Sequence, residues 1–88
     1  MSERVLDEKL VFKAVAFKHG IVEADIRNAF EQRLFDNAMI GDEEKNLLIG
    51  LDRNGNPLEI LYNVLDGEII NVFHAMKCRR AYLHLLKT

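Results

Sequence analysis

Leu6, Leu10, Ala14 and Phe17 recur at helical spacing, with Glu8, Lys9 and Lys13 between them, which predicts a helix from about Glu3 to His19. Ser2 stands where an N-cap belongs, and Asp7 and Glu8 sit early, where the helix dipole favours acids. Lys18 and His19 fall in the last turn, and Gly20 suits the residue just past the end. A second predicted helix, Val22 to Arg33, gathers Val22, Ile26, Ala29, Phe30 and Arg33 on one side. Two helices separated by little more than a glycine imply a helical hairpin or corner.

The period changes after Leu34. Residues 35–40 read as a short edge strand, a reading that Asp36 and Asn37 weaken, and Gly41 to Glu44 as a charged loop. Asn46 to Asp52 reads as a strand with Leu47, Ile49 and Leu51 on one face and Leu48 on the other. Asn54-Gly55, within Arg53 to Pro57, is the strongest short-range hairpin signal in the chain. Leu58 to Leu65 is its partner, with Leu58, Ile60, Tyr62 and Val64 alternating. Asp66-Gly67 marks a second tight turn, Ile69 to Met76 a further strand, and Lys77 to Leu86 a closing helix with Ala81, Tyr82, Leu85 and Leu86 as its apolar face. The expected fold is α+β: one domain over residues 1–88, with two N-terminal helices, a three- to four-stranded antiparallel sheet and a short C-terminal helix.

Composition narrows the function. At 49% hydrophobic and 30% charged, the chain is an ordinary globule and not a disordered one. Its 88 residues hold one core, too thin to engulf a small molecule, so a shallow surface site is expected. The single cysteine, Cys78, excludes a disulfide framework and a four-cysteine zinc site and fits a reducing compartment. With neither a signal-peptide stretch nor a membrane-length apolar run, a cytoplasmic location without membrane contact is expected. Phosphate-loop, HExxH, CxxC and EF-hand patterns are absent, and no cofactor is expected. His74, Cys78 and His84 are metal-capable residues, but their spacing matches no standard site, so no metal is expected.

The net charge of −2 conceals a segregation. Residues 1–68 carry all fourteen acids against eight bases, a balance of −6, whereas residues 69–88 carry four bases and no acid, a balance of +4. On one continuous helix, Lys77, Arg80, His84 and Lys87 would form a cationic face. That face fits an anion such as a phosphate backbone, and it equally fits the ordinary preference of helix C-termini for cations.

From Lys18 onward the chain resembles the BrnT-like toxins of bacterial type II toxin–antitoxin systems, within the RelE-type ribonuclease superfamily. The matching pieces are Lys18-His19-Gly20-Ile21, Glu23 to Phe30, Leu48-Ile49-Gly50, Gly55-Asn56-Pro57-Leu58-Glu59-Ile60, and His74-Ala75-Met76 followed by Arg79, Arg80 and Tyr82. The chain departs from the family at its predicted helical opening, where a short strand with an aromatic residue and an acid is usual. It departs also at Val22, where Ser or Asp often caps the helix, and at Met76, where arginine is usual.

The resemblance implies metal-independent cleavage of RNA, messenger RNA above all, by attack of a ribose 2′-hydroxyl on its adjacent phosphate. It also implies a cognate antitoxin protein as partner, with oligomers forming through that antitoxin. Such chemistry needs a base, an acid and cations for the phosphorane. His74 is the candidate acid or base, Arg79 and Arg80 the phosphate clamps, and Lys18 and His19 complete the catalytic set. Lys77, Tyr82, His84 and Lys87 are candidate RNA-binding residues. Each has a structural alternative: His74 as a core histidine, His19 as a helix-end cation, Arg79 and Arg80 in salt bridges to the acidic loops, Tyr82 in the core. The rival function is a non-catalytic toxin-like module that binds a partner protein or RNA.

Overall fold

The computed structural model describes residues 9–87, with Lys87 described by its backbone alone. Five strands, β1 (Lys9–Phe12), β2 (Arg33–Met39), β3 (Asp42–Leu51), β4 (Pro57–Leu65) and β5 (Ile69–Lys77), form one sheet in the order β1-β5-β4-β3-β2. β1 runs parallel to β5, and the other neighbours are antiparallel. The helices are α1 (Glu23–Glu31) and the single turn α2 (Arg80–Leu83), with 3-10 segments at Ala14–Phe17 and His84–Lys87.

This corrects the expectation of two N-terminal helices on an antiparallel sheet of three or four strands. Where the first helix was expected, Lys9–Phe12 is a strand and Ala14–Phe17 a 3-10 turn, while residues 1–8 of that expected helix lie outside the described residues. The apolar positions there fit a helical period by coincidence. Leu10 and Phe12 also alternate with Lys9 and Val11, and the sheet uses that alternation to seat Leu10 and Phe12 against the core. The edge strand β2 begins at Arg33, two residues before the expected strand, and β3 begins at Asp42 inside the expected charged loop.

The closing helix also starts later than expected. Lys77 still belongs to β5, opposite Leu58, and the backbone N–H of Cys78 donates to Pro57 O at 3.0 Å. These bonds hold the chain extended until Arg79, so the helical turn spans only Arg80–Leu83 before tightening to 3-10 geometry.

α1 lies across one face of the sheet. Ile26, Ala29 and Phe30, at helical spacing, are buried with Leu48, Leu58, Ile60, Tyr62, Ile70, Val72 and Ala75. Gly50 permits this approach: a Cβ there would meet the Ala29 carbonyl oxygen at 2.0 Å. The Asn54-Gly55 turn is fixed by Asp52, whose carboxylate accepts from the N–H groups of Asn54 (2.9 Å) and Asn56 (2.8 Å), with Gly55 at φ +84°. Arg53 ties the turn back to α1 through Asp25, at 2.8 Å from Nε.

The opposite face is covered as well. Leu47 and Ile49, which pair across from Leu61 and Glu59, are buried despite alternating away from α1. Leu47 shares an apolar groove with Ala81, Tyr82 and Leu85, so the C-terminal segment folds over this second face. Among the described residues no helix is long and apolar enough to cross a membrane.

Candidate functional site

The site forms where β4, the bulged part of β5 and the start of the C-terminal segment meet. Leu61 pairs with His74 but Tyr62 pairs with Val72, which leaves Phe73 as an extra residue in β5. The bulge lets Val72 and Ala75 both reach the core on the α1 side while His74 points to the Glu59 face. β1 accompanies β5 only as far as Val72, and the 3-10 turn after it packs beside the next stretch of β5. That turn carries His19 to His74. The two rings meet edge to face, with centroids 5.6 Å apart and planes at 73°.

Glu59 is the centre of the cluster and is fully buried (0% exposed). Its Oε2 accepts from His74 Nε2 at 3.0 Å, from Arg79 Nη2 at 2.7 Å and from Arg79 Nε at 3.1 Å. Its Oε1 accepts from the Arg79 backbone N–H at 2.9 Å and from Nε at 3.0 Å. Every lone-pair direction of the carboxylate is thus occupied by a donor. Burial alone pushes this carboxyl up. The Arg79 side chain, the Arg79 N–H and the His74 ring outweigh it and hold Glu59 below the usual glutamate range. The same pair raises the Arg79 guanidinium above its ordinary value, through the hydrogen bond and charge of Glu59.

An ionised Glu59 accepts only, so His74 Nε2 carries the proton and Nδ1 is the ring nitrogen left for other chemistry. Arg79 is positioned on two sides, by Glu59 and by the Tyr82 ring 5.2 Å from its guanidinium carbon, yet its side chain remains 56% exposed. A guanidinium so held has N–H groups left to face solvent. Cys78 sits beside the cluster with its thiol pushed up, first by burial and then by Glu59, against the effect of Arg79, so it is a poor nucleophile.

Of the residues selected from the sequence, the fold brings His19, His74, Arg79 and Tyr82 together. Lys18, Lys77, Arg80 and His84 are exposed, and none makes a hydrogen bond or ion pair with the cluster. The cationic helix face does not form as one stripe, because Lys77 ends β5, Arg80 starts α2, and His84 and Lys87 lie in the 3-10 segment. Arg79 does form a salt bridge, with a buried strand residue and not with the acidic loops.

Sequence reasoning missed the central residue. Glu59 alternates with the core positions Leu58 and Ile60 and reads as a solvent-facing strand residue. The signal available was Leu61 two positions on, an apolar residue on the same face, which marks that face as covered and a lone acid there as one that needs a partner.

Among the described residues no group of three or more His, Cys, Asp or Glu side chains is arranged to hold a metal ion. No family model matches the chain, and no curated protein and no solved structure matches it significantly.

Proposed function

We propose that this chain is a metal-independent RNA endonuclease, acting as the toxin of a bacterial type II toxin–antitoxin pair and restrained by a cognate antitoxin. The observation that carries the chemistry is the buried Glu59 carboxylate gripping both His74 and Arg79, with the His19 ring set against His74. The BrnT-like pieces of the sequence carry the biological role. β1 carries an aromatic residue, Phe12, but no acid, where such chains usually have a strand bearing both.

In this reading His74 Nδ1 takes the proton of the ribose 2′-hydroxyl, with Nε2 anchored on Glu59. The 2′-oxygen forms a bond to phosphorus as the bond to the 5′-oxygen of the next nucleotide breaks. The leaving oxygen takes its proton from His19, giving a 2′,3′-cyclic phosphate and a 5′-hydroxyl end. Arg79, fixed before substrate arrives, faces the phosphate oxygens as negative charge accumulates. Lys18 and Arg80, both exposed nearby in sequence, add cationic charge for the flanking backbone.

The rival reading, a module that binds without chemistry, draws on the completeness of the Glu59 network, since a fully satisfied buried cluster also serves stability alone. Expression of the chain alone in a bacterium separates the two. Growth arrest with newly cut RNA supports the nuclease. Unimpaired growth with intact RNA defeats it.

A further inference from the structure

The sheet joins two stretches of chain that carry no acid. Residues 9–22 hold Lys9, Lys13 and Lys18, and residues 69–87 hold Lys77, Arg79, Arg80 and Lys87, without an aspartate or glutamate in either. Parallel pairing of β1 with β5 lays one stretch beside the other. The chain between them, residues 23–68, holds eleven acids against four bases. Each of those four bases is neutralised within it: Arg27 by Glu23, Arg33 by Asp36, Lys45 by Asp42 and Arg53 by Asp25. In the acid-free stretches only Arg79 is in an ion pair among the described residues, whereas Lys13, Lys18, Lys77 and Arg80 are exposed without one. The uncompensated cations therefore collect along the β1–β5 edge. Lys9, level with Ile69, stands beside Glu68 and contributes less.

We propose that this edge is a track for the backbone of a single-stranded RNA, held by Lys13 and Lys18 on one side of the His19–His74 pair and by Arg79 and Arg80 on the other. The order of these groups along β5 is fixed by the fold. The backbone N–H of Lys13 donates to Val72 O at 2.9 Å, the His19 ring meets His74 with centroids 5.6 Å apart, and Lys77, Arg79 and Arg80 follow at the end of the strand. Cations in file along one strand edge fit one backbone, and they bind it whatever its sequence. Between the two sets stand the imidazoles of His19 and His74 and the outward N–H groups of Arg79, not the apolar centre that a protein interface requires. The nearest acids in sequence, Glu23 and Asp25, add little repulsion because Arg27 and Arg53 hold them. Placing the scissile phosphate at the ring pair rests on the nuclease reading, whereas the binding of the strand is measured apart from it.

The probe is a labelled single strand of about 12 nucleotides, within the range of single-strand sites, with 2′-O-methyl sugars that block attack by the 2′-hydroxyl. Its affinity for the whole chain should fall steeply with salt. Lys13→Gln combined with Lys18→Gln should weaken binding by about tenfold at low salt and make the log–log salt slope shallower by about 1.4, at about 0.7 for each lost phosphate contact. The circular dichroism spectrum should not change, since both lysines are exposed. Lys45→Gln, which removes one charge on the acid-rich side, should leave affinity and slope unaltered. Binding that persists while unmodified RNA stays uncut supports the track and removes the nuclease reading. Cutting of unmodified RNA with an unchanged KM in the double lysine variant overturns the track and leaves the nuclease reading in place. Equal weakening by Lys45→Gln overturns it as an effect of net charge alone. Polyglutamate of matched charge binding as tightly as the strand overturns it in favour of an acidic protein.

Discussion

Glu59 Oε2 lies 3.0 Å from His74 Nε2, and the carboxylate that makes this contact has no exposure to solvent. A buried acid is retained only where its donors are, and here His74 and Arg79 supply all of them. Glu59→Gln conserves shape but replaces one acceptor oxygen by a donor that faces donors. We expect it to destabilise the fold by about 3 kcal/mol, since half of a buried pair is lost. Urea unfolding should show the change in midpoint at unaltered slope.

The same carboxylate sets an acid limit. Its folded value is lowered, so the unfolded chain binds its proton first as pH falls. Its contribution is complete above the ordinary glutamate value of about 4.3 and is lost as pH falls through the lower folded value. Unfolding free energy followed against pH should therefore decline below about 4.3. In Glu59→Gln that decline should be shallower.

Arg79→Lys tests the guanidinium fork. Lysine offers a point charge in place of the two parallel bonds to Glu59 and the plane against Tyr82. Stability should fall by about 1–3 kcal/mol, as for the loss of a charge-assisted hydrogen bond. RNA cleavage should fall further than stability explains, measured at a temperature where the variant remains folded.

Gly50→Ala probes the contact on which the α1 face depends. The added methyl would stand 2.0 Å from the Ala29 carbonyl oxygen, a backbone atom that cannot move aside without shifting α1. A loss of about 3 kcal/mol is expected, at the upper end for overpacking, and thermal unfolding would register it.

How much of this was legible in the sequence depends on the range over which each signal acts. α1 carries its own period in Ile26, Ala29 and Phe30, and the β3–β4 hairpin announces itself through Asn54-Gly55, so both are local statements. β1 is not local. Four residues alternate too briefly to outweigh a helical period, and their strand identity comes from parallel pairing with Ile69–Val72, some sixty positions away in the chain. The closing helix starts later than its apolar pattern implies because propensity cannot show that Cys78 and Arg79 commit their N–H groups to β4. The site divides in the same way. His19, His74 and Arg79 were visible by residue type, whereas Glu59 acquires its meaning only when the C-terminal segment covers the second sheet face.

The most direct test is to incubate purified chain with a defined single-stranded RNA in excess EDTA and map the chemistry of the new ends. The expected products carry 2′,3′-cyclic phosphate and 5′-hydroxyl termini, with His74→Ala and His19→Ala each slowing their formation by roughly 10²- to 10⁴-fold. RNA that stays intact, or is cut as fast by folded His74→Ala as by the unaltered chain, would contradict it.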